Sequence, residues 1–285
     1  MFFWNRKCEV LDSIPKPEVP QQLHPYLKYK TNYYTCKGSS QRESPRCKSQ
    51  RKDDIGEYKI EVELCHLPRR FKLLRNLIFK TEQGFIQIDH LVISPYGLFM
   101  LEANNLAGII VGEESDPHWY QAITWRVKTF PNPLLENETR IKVLKEQAKL
   151  EETLPIFSYV TFNCRCNLKV ISGSVVYDID ILAAILKLSQ TLPEVLNDEE
   201  VLAMANQIMQ VNISDPNIRN EYSARLRKQR LQKRPQYGDI RCTICQKPVS
   251  ERAARYCLTH PAKFNWHIYC AKHQKEMTRV LCRNN

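Results

Sequence analysis

The sequence is poor in glycine and contains no long apolar run. It has 8 glycines and 16 prolines among 285 residues, which excludes a collagen-like or low-complexity chain over most of its length. No stretch approaches the ~18 apolar residues that a membrane span requires. The first residues also lack a basic segment followed by an apolar one, so no signal peptide is predicted. We therefore expect a cytoplasmic protein without a membrane partner.

Positive charge exceeds negative charge along the chain. Lys and Arg number 42 against 31 Asp and Glu, which gives a net charge of +11. Such a balance favours polyanionic partners, meaning nucleic acid or an anionic membrane surface. Six basic residues fall within residues 225–234, where a solvated helix face and a phosphate-binding surface both fit, and we favour phosphate contact. The six are Arg225, Arg227, Lys228, Arg230, Lys233 and Arg234.

The composition divides the chain into four parts. They are an N-terminal appendage (1–54), a globular core (55–218), a basic connector (219–240) and a module rich in Cys and His (241–285). In the core, apolar residues at helical spacing alternate with short strand-like runs. This alternation predicts an α/β layer fold. Strands are predicted at 159–162 and 168–172, and helices at 179–188 and 199–210.

A hairpin is predicted near the start of the core. Two apolar runs, 85–93 and 98–103, flank a connection that contains Pro95 and Gly97. Proline and glycine in a four-residue connection are typical of a hairpin. In that hairpin Ile93 would pair with Leu98.

Two carboxylates face each other if this register holds. Counting outward places Asp89 opposite Glu102, and Gln87 opposite Asn104, all on one face of the sheet. Opposed Cβ atoms lie about 5 Å apart, so the two carboxylates repel each other. A Mg²⁺ ion would relieve the repulsion, and so would exposure of one carboxylate or a Lys or Arg partner. A register slip of one residue would separate the groups.

The motifs around the hairpin resemble the nuclease-related domain, NERD, over about residues 56–145. The residues that carry the resemblance are Gly56, Glu57, 87–90, 94–102, Gly108, Trp119, 130–134 and Asn137. This family is assigned to the PD-(D/E)XK nuclease superfamily. The resemblance therefore implies a mixed sheet flanked by helices and a metal-dependent nuclease that acts on DNA.

The resemblance also implies roles for individual residues. Asp89 would be the metal ligand of the PD element and Glu102 the acidic residue of the (D/E)XK element, together holding Mg²⁺ or Mn²⁺. Glu57 would be an accessory carboxylate on the preceding helix. Gln121 is a weaker candidate for a supporting polar role. Hydrolysis of a phosphodiester needs such a Lewis acid and an activated water.

The lysine of the (D/E)XK element is replaced by Asn104 in this chain. Asparagine hydrogen-bonds to water but carries no charge and is not a base at neutral pH. The departure predicts that catalysis is absent or weakened. A natural pseudo-nuclease, an engineered inactive version, and a nuclease that uses another cation such as Lys59 all fit.

The C-terminal module has the spacing of a zinc site. The chain has 11 cysteines, and a reducing cytoplasm keeps thiols free or metal-bound. A CxxC pair followed by a CxxH pair suits a tetrahedral, structural Zn²⁺. A segment this small usually needs a bound metal ion or a disulfide to fold stably. We expect a zinc-ribbon-like unit with a knuckle, a hairpin and a final short helix. The predicted ligands are Cys242, Cys245, Cys270 and His273, with Cys257 and then His260 as substitutes.

Three functions are compatible with these features. The first is a Mg²⁺-dependent DNA nuclease in which the connector and the zinc module bind the phosphates of the DNA backbone. The second is a pseudo-nuclease that binds nucleic acid without cleaving it. The third is a recruiting protein whose zinc module binds a partner, such as a helicase in repair or defence.

Overall fold

The computed structural model describes residues 57–82, 84–123, 126–170, 172–232 and 240–283. All of these residues belong to one compact unit, Cys47–Asn285. The predicted N-terminal appendage (1–54) lies outside the described residues, so it stays a prediction.

Strands and helices alternate through most of the described chain. The strands are β1 (Lys72–Thr81), β2 (Gly84–Ser94), β3 (Gly97–Asn104), β4 (Gly108–Val111), β5 (His118–Ile123), β6 (Arg126–Pro131), β7 (Ile156–Phe162), β8 (Cys166–Lys169) and β9 (Val175–Tyr177). The helices are α1 (57–64), α2 (Pro133–Gln147), α3 (Ile181–Ser189), α4 (Asp198–Val211), α5 (Pro216–Gln232), α6 (Glu251–Thr259), α7 (Pro261–Phe264) and α8 (Ala271–Arg283).

Two mixed sheets form the framework. The first has the order β1-β2-β3-β7-β9, and the second has the order β6-β5-β4-β8. In each sheet, three strands are antiparallel and the chain then returns through a parallel strand, β7 beside β3 and β8 beside β4. The predicted α/β class with a mixed sheet flanked by helices is confirmed. The division into two sheets is an addition to that prediction.

The first sheet is buried between two layers of helices. One face packs against α2 and α4 through Leu144, Val201 and Ile208. The opposite face packs against α1 and α3 through Ile60 and Ile185. Burial on both faces explains why β2 and β3 read as nearly continuous apolar runs in the sequence. Polar residues in these strands are therefore exceptions that require partners.

The second sheet and the C-terminal module share one apolar cluster. Val111, Ala122 and Val127 of the sheet pack with module residues that include Leu258 and Phe264. The backbone N–H of Val127 donates to the Glu251 carboxylate at 2.8 Å. The Lys169 ammonium lies 4.9 Å from the ring centroid of Trp266. Since β6 is an edge strand, helix α6 covers an edge that would otherwise be open.

The C-terminal module is helical where we expected a hairpin. Its middle segment forms α6 and α7, and α8 begins directly after Cys270 as predicted. Ser250 caps α6 by accepting a hydrogen bond from the N–H of Ala253 at 3.3 Å. Ala254, Cys257 and Leu258 are all buried and follow helical spacing. This helical spacing explains why the middle segment forms helices. The CxxC pair and the CxxH pair are therefore joined by α6 and α7.

Candidate functional site

The turn between β2 and β3 fixes the register of the candidate site. Ile93 pairs with Leu98, as predicted, and the Ser94 hydroxyl donates to the carbonyl of Gly97 at 2.8 Å. Gly97 has φ +118, a backbone conformation that side chains rarely adopt. A Cβ atom at Gly97 would lie 2.5 Å from the carbonyl oxygen of Pro155. The sequence therefore needs glycine here both for the turn and for the close approach of the next segment.

Asp89 lies beside Glu102 at the end of this hairpin. The regular pairing ends at His90 and Leu101, one step before the two carboxylates. The N–H of Ala103 donates to Asp89 Oδ2 at 3.3 Å, so β3 remains in contact with Asp89. Gln87 donates to the other carboxylate oxygen of Asp89 at 3.3 Å. The ladder between β2 and β3 does not extend to Gln87 and Asn104, so their expected pairing is not formed, and Asn104 pairs on its other side with Phe162 of β7.

Glu102 has an arginine partner, which is one of the alternatives that the sequence left open, although the sequence did not identify the residue. Its carboxylate forms an ion pair with the guanidinium of Arg140 on α2. Burial raises the pKa of Glu102 to about 8; the positive charge of Arg140 opposes this rise, and the negative charge of Asp89 adds to it. Glu136, one helical turn before Arg140, also raises this pKa. The guanidinium thus contacts two carboxylates, those of Glu102 and Glu136, and a third, that of Asp89, lies near Glu102, so a further cation would be stabilised there.

Helix α2 holds Arg140 in this position. The helix begins after Asn132, whose side chain accepts from the N–H of Leu134 at 2.9 Å. Asn137 is fully buried, and its carbonyl oxygen accepts from Arg140 at 2.8 Å. The amide of Asn137 donates to the hydroxyl of Ser158 at 2.9 Å, which ties the helix to β7. The segment around Asn132 and Asn137 therefore positions the arginine against the carboxylates.

A pocket of about 270 Å³ borders this region, although neither Asp89 nor Glu102 lines it. Glu136 lines it, and so does Asn104, two residues beyond Glu102 on the same strand. The Asn104 amide nitrogen is buried and has no hydrogen-bond partner among the described residues. Gln121, another predicted site residue, lines the same pocket and donates to the carbonyl of Ala107 at 2.8 Å. The other lining residues are Leu106, Lys128, Thr129, Phe130, Pro131 and Pro133.

Helix α1 approaches the sheet from the face opposite to α2. Glu57 is its first described residue and is half-buried. Glu61, one turn later, lies 3.8 Å from the buried imidazole of His90, which points away from Asp89 as strand alternation predicts. Lys59 lies 3.7 Å from the buried carboxylate of Asp178. Lys59, our candidate for a replacement cation, is therefore engaged with Asp178.

The C-terminal module brings the four predicted metal ligands together. One ligand atom from each of these residues lies within 4.8 Å of the others, and the residues are Cys242, Cys245, Cys270 and His273. Burial opposes ionisation of the Cys242 thiol, but backbone N–H groups around the sulfur outweigh it and lower its pKa to about 6. A thiolate ready at neutral pH is what metal coordination requires. Three sulfurs and one imidazole can hold a tetrahedral ion such as zinc.

The two substitute ligands are engaged elsewhere. The sulfur of Cys257 accepts from the N–H of Tyr269 at 3.4 Å and from the Gln274 amide at 3.2 Å. The imidazole of His260 lies 2.8 Å from the carbonyl oxygen of Tyr256. Neither residue belongs to the group of four, so the cluster is complete without them.

Comparison with known proteins decides the family. The family model named nuclease-related domain, NERD, matches residues 52–163. An uncharacterized protein of Bacillus anthracis is 32% identical over 178 residues, which are 60% of this chain and 82% of that protein. No solved structure gives a significant match. The chain belongs to the NERD family.

The NERD match covers the site described above. It includes the hairpin with Asp89 and Glu102, the pocket residues Asn104 and Gln121, and the helix that carries Arg140. The nuclease-related fold that the motifs predicted is therefore confirmed, and family membership points to nucleic acid as the partner. The Cys and His cluster lies beyond the matched residues.

The basic connector is described only in part. Arg225 is exposed on α5, and Arg227, Lys228 and Arg230 fall on the same helix, where the structure describes the backbone. Lys233 and Arg234 lie outside the described residues. The phosphate-binding role of these six residues stays a prediction. No described helix is both long and apolar enough to cross a membrane.

Proposed function

We propose that this chain is a metal-dependent DNA nuclease of the NERD type, weakened because Asn104 stands at the position of the motif lysine. The observation that carries the proposal is the proximity of Asp89 and Glu102 on a hairpin whose strand β3 continues to Asn104, which lines a pocket together with Gln121. Family membership supplies the reaction class, and these residues supply a place for it.

The donor set fits a hard divalent ion. Asp89 and Glu102 would hold Mg²⁺ or Mn²⁺, since carboxylate oxygens are the ligands such ions prefer. Glu57 stays the proposed accessory carboxylate; because α1 packs on the face of the first sheet opposite to α2, Glu57 would have to reach the ion from beyond the end of the strands. The raised pKa of Glu102, caused mainly by burial, is also what an added cation would reverse. When bound, the ion would supply Lewis-acid stabilisation of the phosphoryl oxygens.

The remaining polar residues would position the reactants. Gln121 is anchored through its amide nitrogen to Ala107, which leaves its carbonyl oxygen to accept a hydrogen bond in the pocket. The Asn104 amide is a donor without a described partner, so it is suited to a phosphate oxygen or a water. Neither group carries a charge, which is why we expect slower hydrolysis than with a lysine.

The basic connector and the zinc module would hold the DNA backbone. We propose that the Cys and His cluster binds zinc and that this zinc is structural, because four protein ligands leave no open position for catalysis. A reducing cytoplasm is the compartment that suits these thiolates. In the full chain, replacing Arg225, Arg227 and Lys228 by Gln should weaken DNA binding and reduce its salt dependence. Unchanged affinity would contradict this assignment.

A second function is favoured by the ion pair between Glu102 and Arg140. If the arginine permanently takes the place of the metal, the chain is a non-catalytic pseudo-nuclease that binds nucleic acid or recruits a partner. A helicase or another repair or defence protein is the kind of partner proposed. The loss of charge at Asn104 supports the same alternative.

A cleavage assay on plasmid and linear DNA separates the two functions. The full chain, Asn104→Lys, and each of these with Asp89→Ala would be compared with and without Mg²⁺ or Mn²⁺. Divalent-dependent cleavage that Asp89→Ala abolishes would support the nuclease. DNA binding without cleavage by any version would support the pseudo-nuclease instead.

A further inference from the structure

Lys128 occupies the same pocket as the residue at the motif lysine position. It lies on β6, directly opposite Gln121 of β5 in the antiparallel register. Directly opposed residues share a face of the sheet and have Cβ atoms about 5 Å apart. Lys128, Gln121 and Asn104 all line the pocket. Two strands of the second sheet therefore bring an ammonium group to the cavity that Asn104 borders from the first sheet.

The Lys128 ammonium has no carboxylate partner in the described part of the chain. Lys128 is half-buried, and no described residue forms an ion pair with it. Among the described residues that line the pocket, it is the one with a cationic side chain. Lys128 therefore presents a positive charge to a pocket in which Glu136 supplies the one carboxylate among the described lining residues, and this charge suits an anionic ligand such as a phosphate.

Arg140 and Lys59, the two other cations discussed above, are already engaged. Arg140 is paired with Glu102 and hydrogen-bonded to Asn137. Lys59 lies 3.7 Å from Asp178. Of these three cations, Lys128 is the one that faces the pocket without a carboxylate partner.

We propose that Lys128 supplies, from strand β6, the positive charge that Asn104 does not supply to the scissile phosphate. The inference rests on the proposed nuclease function and deepens it. In the hydrolysis, the water oxygen forms a bond to phosphorus as the bond from phosphorus to the leaving oxygen breaks. One water proton passes to solvent, and solvent returns one to the leaving oxygen. Lys128 stays protonated and stabilises the negative charge on the phosphoryl oxygens.

The test compares Lys128→Gln and Lys128→Arg with the full chain, each with Asn104 or with Asn104→Lys. We expect Lys128→Gln to lower divalent-dependent cleavage by about 100-fold, which is typical for the loss of one charge-stabilising group. Lys128→Arg should retain much of the activity because it keeps the charge. With Asn104→Lys present, Lys128→Gln should change cleavage by less than about 3-fold, because the motif lysine is restored.

Matched controls separate this role from folding and from DNA affinity. Lys142→Gln removes an exposed lysine of α2, outside the pocket, and should leave cleavage unchanged. Thermal unfolding and the salt dependence of DNA binding would be measured for every variant. A cleavage defect in Lys128→Gln with normal unfolding and binding, rescued by Asn104→Lys, supports the proposal.

Three outcomes would overturn it. Cleavage that Asp89→Ala abolishes but Lys128→Gln leaves intact would keep the nuclease and reject Lys128. Cleavage by Asn104→Lys alone, with an inert original chain, would show that no residue replaces the motif lysine. Absence of cleavage in every version would reject the proposed function together with this inference.

Discussion

Arg140 of helix α2 is the cationic partner of Glu102 on strand β3, and their ion pair joins the helix to the sheet at the candidate site. Asn137 accepts a hydrogen bond from the same guanidinium at 2.8 Å and is itself anchored to Ser158 of β7. The guanidinium is therefore held in place by buried groups. It neutralises the carboxylate that we propose as a metal ligand, so arginine and metal ion should compensate for one another.

Arg140→Gln should make the chain depend more strongly on divalent ions. Without Mg²⁺ and above about pH 8, where Glu102 is ionised, loss of the cation beside this largely buried carboxylate should lower the free energy of unfolding by about 1–3 kcal/mol. Excess Mg²⁺ should restore part of this loss, since a ligand that binds only the folded state stabilises it. Urea unfolding with and without Mg²⁺ measures both effects. Lys142→Gln on the same helix is the control, and an equal Mg²⁺ effect in both variants would contradict the prediction.

Glu102→Gln should change how stability depends on pH. Burial raises the pKa of Glu102 from 4.5 to about 8 in the folded chain. The folded state therefore holds this proton more tightly than the unfolded state, and the stability it contributes is lost as the pH rises from 4.5 to about 8. The free energy of unfolding of Glu102→Gln minus that of the original chain should therefore be larger at about pH 8 than at about pH 5.

Urea unfolding in Mg²⁺-free buffer at the two pH values measures this difference. Glu146→Gln, an exposed residue of helix α2, is the matched control and should shift stability equally at both. A constant difference between Glu102→Gln and the original chain across the range would reject the buried carboxylate.

Gly97→Ala should destabilise the hairpin that carries Asp89 and Glu102. The φ of +118 disfavours alanine, and its Cβ would meet the Pro155 carbonyl oxygen at 2.5 Å. We expect a loss of about 2–4 kcal/mol in the free energy of unfolding. Gly173→Ala is the control, because nothing lies within 4 Å of a Cβ there, and it should change stability by less than about 0.5 kcal/mol. Similar effects of both substitutions would show that the turn is not fixed as described.

Zinc content should follow the four clustered ligands. The purified chain should contain about one zinc per molecule by elemental mass spectrometry. Cys242→Ser and His273→Ala should lose it, and a chelator should unfold the module because metal binding is coupled to folding. Cys257→Ser should keep the zinc, since Cys257 is bonded to Tyr269 and Gln274. Loss of zinc from Cys257→Ser with retention in Cys242→Ser would reverse the assignment.

Local signals were enough to predict the hairpin and the Cys and His cluster. Pro95 and Gly97 define a short turn, and the two-residue period of strands then places Asp89 near Glu102 without any knowledge of the rest of the fold. The spacing within the pairs at 242–245 and 270–273 likewise predicts a metal site from local sequence alone. The register at Ile93 and Leu98 confirms the first inference.

Arg140 and Lys128 were missed because distant packing brings them to the site. Arg140 sits in a polar helix, and a sequence pattern does not distinguish its guanidinium from a solvated one. The signal that could have found it is its spacing of three and four residues from Asn137 and Glu136. Lys128 reaches the pocket only because the second sheet forms, and its strands are short. The hairpin that we expected in the zinc module does not form, because the apolar residues around Cys257 recur at helical spacing.

Strand β6 contacts the C-terminal module and also contributes a residue to the pocket. The N–H of Val127 is bonded to Glu251 of the C-terminal module, and the next residue, Lys128, faces the pocket. A fragment truncated at residue 240 would expose this strand edge together with the apolar side chains of Val111 and Ala122. Open apolar edges recruit strands from other molecules, so the fragment should aggregate. The module thus acts as an end cap for the nuclease-related sheet, and the two parts are not interchangeable building blocks.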